Sequence, residues 1–167
     1  MKNPSITIYD DVLSMDERIE VYNRFFSTNS SLNSFWVSRN EIGDFQPLEK
    51  LVGISLTGFN FSAFNGVEIW SHNLTAPGFH YDKDERFFAE TGLFVLPLCS
   101  IIYYVEITSQ LIGVDKFKIS LQTPDVMIVP KDNRVVVMSP GILHSARGNP
   151  NVRKLIVISP WIKKPHL

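Results

Sequence analysis

A single cysteine, Cys99, in 167 residues rules out an internal disulfide framework, so the fold has to rest on an apolar core. Cys99 falls in the apolar run that leads to Tyr104. It therefore reads as a small buried hydrophobe, not a reactive thiol, and a reducing, cytoplasmic setting fits it. No stretch approaches the ~20 consecutive apolar residues that a membrane span needs. The polar start Met1-Lys2-Asn3-Pro4 lacks an apolar run suited to a signal segment, so a soluble protein with no membrane partner is expected. Neither sign of charge prevails, with 16 lysines and arginines against 17 aspartates and glutamates. A net charge of −1 provides no broad basic surface, which argues against tight nonspecific nucleic-acid binding. The sequence contains no internal repeat.

What is present is an ordinary globular composition, 44% hydrophobic and 20% charged, at a length that suits one domain covering residues 1–167. Ile6-Thr7-Ile8-Tyr9 alternates as a first strand and stops at Asp10-Asp11. Ser14 opens a capping box with Glu17, and Ile19, Val21, Tyr22, Phe25 and Phe26 form an apolar face, predicting a helix from about Met15 to Ser27. A short strand at Phe35-Trp36-Val37 and a helix around Pro47 to Val52 follow. The aromatic run from Phe59 to Phe64 lacks the basic neighbours of a nucleic-acid stacking platform and reads as packing. Further strands are expected at Val67–Leu74, Leu98–Ile107, Lys116–Gln122, Val126–Val129, Arg134–Met138 and Leu155–Ser159. The turn signals Pro130-Lys131-Asp132-Asn133 and Gly148-Asn149-Pro150-Asn151 separate the last of these. Many short strands at this spacing predict a sandwich or barrel. Residues 83–91 read as a short helix or ordered loop, and if that segment is a lid, Arg86 and Asp84 are its residues best able to touch a substrate.

The chemistry-bearing stretch is His80-Tyr81-Asp82, just after Ala76-Pro77-Gly78. In an extended strand His80 and Asp82 share a face while Tyr81 takes the other. Alone the pair reads as an ion pair or a turn cap rather than as a metal site. A third donor of the right kind is His144, after the apolar strand Val135–Met138. Two histidines and one carboxylate with open positions opposite suit non-heme Fe(II). His72 is a rival ligand, but it is separated from Asp82 by the Pro-Gly turn. Nine residues past His144, Arg153 opens the last apolar strand with a planar fork that can grip a carboxylate by two parallel hydrogen bonds.

In this order His80-x-Asp82, the strand Ser100-Ile101-Ile102-Tyr103-Tyr104, His144 and Arg153 resemble the Fe(II)/2-oxoglutarate-dependent oxygenases, and within them the prolyl 4-hydroxylase-like branch. The resemblance runs from about Val67 to Trp161, with a weaker echo in the N-terminal strand and helix within residues 1–30. It implies a mainly β fold with packed helices, the double-stranded β-helix or jelly roll, whose core covers about residues 67–162 and whose helices lie outside the larger sheet. It further implies His80, Asp82 and His144 as iron ligands and catalytic centre, with Fe(II), 2-oxoglutarate and O₂ as cofactor and cosubstrates. Arg153 and Tyr104 would hold the distal carboxylate of 2-oxoglutarate, while Ile102 and Ser100, sharing the Tyr104 face, would line its pocket. Trp70 stands where relatives often carry a tyrosine that closes the site, and Gly113-Val114-Asp115 replaces a frequent Gly-Gly pair. Lys154 is the rival anchor, sent by alternation to the opposite face. The implied reaction is hydroxylation, because the related halogenases lack the carboxylate that Asp82 supplies.

Two other readings stay open at this point. A cupin-like metal protein would use the same barrel without 2-oxoglutarate and would have no need of Arg153 and Tyr104, and a non-catalytic interaction module would keep only the scaffold. The substrate is left open as well: a prolyl residue in a peptide, a free amino acid or another small molecule.

Overall fold

The computed structural model describes residues 5–27, 34–57, 64–72, 78–107, 116–118, 126–147 and 153–166, with the backbone alone at 72, 107, 116–118, 146–147 and 153. The chain opens with β1 (Ile6–Tyr9) and α1 (Met15–Phe26). Between them Asp11 takes a positive φ of 55° and breaks the strand. The helix starts where the sequence predicts it. The Ser14 hydroxyl accepts from the Glu17 N–H at 3.3 Å, and the Glu17 carboxylate accepts from the Ser14 N–H at 2.6 Å, so two otherwise orphaned donors are satisfied. Strand β2 (Phe35–Ser38) leads through a 3₁₀ turn at Arg39–Asp44 into α2 (Gln46–Leu56), whose first turn carries Pro47, where the missing N–H costs nothing. Leu48, Leu51, Val52, Ser55 and Leu56 recur at helical spacing and are all buried.

The β elements that follow are β3 (Gly66–His72), β4 (Ser100–Ile107), β5 (Lys116–Lys118), β6 (Met127–Ile128), β7 (Arg134–Met138), β8 (Ser145–Arg147) and β9 (Arg153–Trp161), with the short helix α3 (Glu85–Thr91) between β3 and β4. Six strands form one antiparallel sheet in the order β1-β7-β4-β9-β3-β2, and three form a smaller one in the order β6-β5-β8.

Both faces of the larger sheet are covered, which is why its central strands are apolar without clean alternation. On one face Val67, Ile69, Ile101, Tyr103, Val105, Val135, Val137, Ile156 and Ile158 pack with Val21 and Phe25 of α1 and Leu48, Leu51 and Val52 of α2. On the other, Ile102, Tyr104, Val136, Met138, Leu155 and Val157 meet Ile128 of β6 and Ile142, with Trp70 partly buried against them. Side chains of this size contribute roughly 1.5–3 kcal/mol each when fully buried. Two antiparallel sheets facing each other across an apolar layer, with helices outside the larger one, make the jelly-roll architecture expected from the sequence.

Asn133 ties the N-terminal segment to this frame. With φ of 59° it turns the chain into β7, and its side chain bonds both the N–H and the carbonyl of Leu13, at 2.9 and 2.7 Å. The Tyr103 hydroxyl, on the helix side of the sheet, donates to the same amide oxygen at 3.1 Å. Among the described residues no helix is long and apolar enough to cross a membrane.

Several boundaries differ from the sequence reading. Strand β9 extends two residues further at each end than the apolar run Leu155–Ser159, because its edges pair with β3 as far as Trp161 and with β4 as far as Arg153. Cys99 lies one residue before β4 instead of inside it, fully buried. The turns at 111–115 and 148–151 and the aromatic run 59–63 lie outside the described residues.

Candidate metal centre on the inner face

The inner face carries the polar cluster. His80 and His144 are directly opposite each other in an isolated antiparallel bridge, the N–H of each donating to the carbonyl of the other at 2.9 and 3.0 Å. Residues paired in this way point to the same side of a sheet, so one pair of backbone bonds brings two distant imidazoles together. Their ring centroids are 4.3 Å apart. His144 reaches this position because the chain reverses after β7 through Pro140-Gly141, where φ is +76°, a value that an L side chain strains to adopt.

Asp82 does not belong to a strand. The sequence reading drew His80 and Asp82 from one strand, whereas pairing stops at His80 and Asp82 lies in the unpaired segment that follows. Their side chains nevertheless converge. The Asp82 Oδ1 is 3.5 Å from His80 Nε2, and its Oδ2 is 3.7 Å from His144 Nε2. One ligand atom from each of the three residues lies within 4.8 Å of the others.

The hydrogen bonds behind the cluster decide what its front presents. His80 Nδ1 is 2.8 Å from the Gly78 carbonyl, and His144 Nδ1 is 2.9 Å from the Ile142 carbonyl. A carbonyl only accepts, so each Nδ1 carries its hydrogen. In the neutral ring each Nε2 is then a lone pair aimed at Asp82. Backbone carbonyls in this role orient metal-ligating imidazoles in general. The Asp82 Oδ2 is buried with no hydrogen-bond partner, a costly state for a carboxylate oxygen unless a cation meets it. First-row ions hold such donors at about 2.0–2.2 Å, which places two donors of one ion roughly 3–3.5 Å apart. The two carboxylate–imidazole spacings need only a small contraction, so a divalent cation fits between them.

Burial and charge pull the three groups in different directions. Burial lowers the His144 pKa and outweighs the Asp82 charge, so its neutral form is favoured. Burial also pulls His80 down, but hydrogen bonding to Asp82 and to the Gly78 carbonyl wins and leaves it raised. For Asp82, burial pushes the carboxyl up, yet His80, the charge of His144 and the Ser100 hydroxyl hold it below the usual range.

The wall behind the cluster contains the other expected residues. Ser100, Ile102 and Tyr104 alternate along β4 and are all buried, and Trp70 is opposite Val157 on β3. Arg153 is the first residue of β9, opposite Ile107, and its side chain lies outside the described residues, as does that of His72. Lys154 takes the helix side, where its ammonium bonds the Tyr22 hydroxyl and Glu106, both at 2.7 Å.

Of the two residues suggested as substrate contacts on 83–91, Asp84 is committed elsewhere. Asp84 is buried as the N-cap of α3, accepting from the Phe87 N–H at 2.9 Å and from the backbone and ring of His166 at 2.9 and 2.8 Å. Arg86 is exposed and bonds Glu90 one turn along α3. The signal for the cap, an aspartate three residues before the Phe87 amide, was present in the sequence; its tie to His166 spans 82 positions and had none. Sequence reasoning also passed over Glu68, which lies on the same inner wall between two buried apolar neighbours.

No protein-family model matches the chain, and no curated protein matches it in sequence. Its fold, however, is that of solved prolyl hydroxylases. A viral collagen prolyl hydroxylase from Paramecium bursaria Chlorella virus-1, in its 2-oxoglutarate complex, superposes with a TM-score of 0.64 at 16% identity, covering 93% of each chain. A prolyl hydroxylase from Trichoplax adhaerens, in complex with a peptide fragment of the hypoxia-inducible-factor oxygen degradation domain, gives a TM-score of 0.54 at 14% identity over 93% of this chain and 83% of that one. Prolyl 4-hydroxylase from Phytophthora capsici gives 0.52 at 17% identity over 93% and 58%.

Proposed function

We propose that this chain is an Fe(II)- and 2-oxoglutarate-dependent dioxygenase that hydroxylates an amino-acid or peptide substrate. One observation carries the reading: two imidazole nitrogens, each turned inward by a backbone carbonyl, converge on a buried carboxylate whose Oδ2 has no other partner. The likeness to prolyl hydroxylases supports it at the level of fold.

In this reading His80, Asp82 and His144 hold the metal. Bound Fe(II) with 2-oxoglutarate supplies the chemistry: decarboxylation to succinate and CO₂, coupled to insertion of one oxygen atom of O₂ into a substrate C–H bond. The chain's own residues bind, orient and exclude water. Strand alternation gives Arg153 the parity of Leu155 and Val157, so its fork would meet the distal carboxylate of the cosubstrate beside the Tyr104 hydroxyl. Ile102, Val157 and Leu155 form dry walls around that end, which strengthens any charge pairing made there. Trp70 would close the side on which relatives often have a tyrosine, with an indole that donates one hydrogen bond and accepts none.

The test is succinate release from 2-oxoglutarate under air, with Fe(II) and ascorbate, across panels of amino acids, amines and peptides. Turnover that depends on Fe(II) and on one class of substrate supports the reading. Absence of both metal binding and 2-oxoglutarate binding would overturn it in favour of a barrel that serves only as a scaffold.

A further inference from the structure

Away from the metal cluster, the inner wall carries a further acid, Glu68, among the described residues. Glu68 stands in β3 between Val67 and Ile69, both fully buried on the helix side, so its carboxylate takes the inner face with Trp70. Its neighbours across the sheet are Ser159 on β9 and Trp36 on β2. The pairing of Ile101 with Ile158 carries the same row on to Ser100, whose hydroxyl bonds Asp82. The row therefore runs Ser100, Ser159, Glu68, Trp36, starting beside the candidate metal ligands. Tyr104 lies two rows away, at the other end of the wall.

In this row the Ser159 hydroxyl lacks a hydrogen-bond partner, as does the indole of Trp161 two residues further along β9. Both residues are buried, Ser159 0% and Trp161 2% exposed. The indole N–H of Trp161 lies toward the Glu68 carboxyl, as does the Ser34 hydroxyl. Burial holds the Glu68 carboxyl above its ordinary range, and the charges of Asp84 and Asp82 add to that. No lysine or arginine among the described residues pairs with it. Buried polar atoms in folded proteins are nearly always satisfied, and a buried acid is nearly always matched by a cation. Glu68 is half-buried and has the Ser34 hydroxyl and the Trp161 indole turned toward it but meets no cation, and the Ser159 Oγ opposite it has no partner; together these point to a ligand that brings a positive charge and an N–H donor.

The chemistry of the place is selective. Glu68 and the Ser159 hydroxyl accept hydrogen bonds, and the Glu68 carboxylate repels an anion. The aromatic faces of Trp36, which covers Gly66 so closely that a Cβ there would overlap the ring, and of Trp70 flank the acid on the same side of the sheet. We propose that Glu68, with Ser159 and Trp161, is a specificity subsite that binds a primary ammonium group of the substrate. The ammonium donates to Glu68 and to Ser159, and Trp161 donates to the second oxygen of Glu68 and fixes its orientation. The subsite selects an amine or a free amino acid over a neutral or anionic analogue. This deepens the oxygenase reading and rests on it only for the reaction that follows binding.

The test follows the indole N–H resonances of the three tryptophans in ¹⁵N–¹H spectra, with that of Trp161 identified by Trp161→Phe. n-Butylammonium, n-butyramide, n-butyrate and tetramethylammonium are titrated into the 167-residue chain, loaded with Zn(II) and again without metal. Saturable movement of the Trp161 resonance with n-butylammonium is expected, with butyrate and butyramide at least tenfold weaker. Glu68→Gln should weaken n-butylammonium by on the order of tenfold, since one charge-assisted hydrogen bond is lost, while leaving Zn(II) affinity unchanged. Equal or tighter binding of butyrate or butyramide overturns the proposal, as does an unchanged affinity in a folded Glu68→Gln. Tetramethylammonium binding as well as n-butylammonium overturns the hydrogen-bonded subsite, because that ion has no N–H. If Glu68→Gln fails to fold, the ranking of the four probes on the natural chain decides alone. The metal-free arm separates this result from the fate of the metal assignment: ammonium selectivity without metal binding would sink the oxygenase reading and leave the subsite standing.

Discussion

Lys154 and Tyr22 are joined across the helix side of the larger sheet, the ammonium 2.7 Å from the phenol oxygen and 4.3 Å from the ring centroid. That bond fixes the parity of β9, because a residue committed to α1 is not available to the inner face.

The first prediction follows for the cosubstrate. Arg153→Ala should weaken 2-oxoglutarate by on the order of 2–5 kcal/mol, the cost of leaving its distal carboxylate unpaired, and Arg153→Lys should recover part of it. Lys154→Ala should keep cosubstrate affinity and lower stability by under about 1 kcal/mol, since its ion pair is partly exposed. Titration of 2-oxoglutarate into each variant with metal present checks this. Loss in Lys154→Ala with retention in Arg153→Ala would put the anchor on the wrong strand face.

For the metal, His144→Ala should reduce Fe(II) affinity severely in an anaerobic titration, and His72→Ala should not. The proton competes with the metal at His80, whose pKa is raised above its ordinary 6.5. Affinity should therefore climb as pH rises through and above that value, with a proton released on binding, and fall away below it. An affinity flat from pH 6 to 8 would remove His80 from the ligand set.

Cys99 should be inert. Burial pushes its thiol up to about 12, so almost no thiolate exists at pH 8, and the side chain is fully covered. Mass-spectrometric labelling of the folded protein should proceed only as fast as the chain opens. Rapid modification in native buffer would contradict the packing described.

Asp84 gives a prediction about acid stability. Burial pushes its carboxyl up, but the Phe87 and His166 hydrogen bonds outweigh burial and hold it below the ordinary 3.8. A depressed folded pKa stabilises the fold above the unfolded value, and that contribution is lost as pH falls through the folded one. Urea midpoints of Asp84→Asn should therefore fall less than those of the natural protein between pH 5 and 3. At pH 7 the variant keeps an N-cap oxygen for the Phe87 N–H, so its loss of stability should come from the weakened bonds to His166. Identical pH profiles would mean that the cap carries no charge effect.

How much of this was legible in the sequence depended on how local each signal was. The Ser14–Glu17 box and the apolar runs of β4, β7 and β9 carry their own pattern, and the structure begins or centres those elements where the pattern does. Strand β8, only Ser145-Ala146-Arg147, has no periodicity to read and exists because β5 pairs with it. His80, Asp82 and His144 could be nominated as residue types, but the reason they converge could not: it is a two-residue bridge between segments 64 positions apart, counted from 80 to 144. Glu68 looked like one polar residue in a strand, since its unpartnered neighbours Ser159 and Trp161 arrive only through pairing with β9.

Strand β9 follows every other strand in the chain, yet it lies between β4 and β3 in the middle of the larger sheet. During synthesis β1, β7 and β4 can assemble on one side and β3 with β2 on the other, and the two halves share no hydrogen bonds until residues 153–161 leave the ribosome. Until then β4 and β3 each expose a bare apolar edge, the kind that pairs with other nascent chains. Closure by a late central strand also means high contact order and slow folding, milliseconds to seconds on the usual scale. Chaperone dependence and yield should therefore respond far more sharply to changes in β9 than to changes of equal thermodynamic cost in β1.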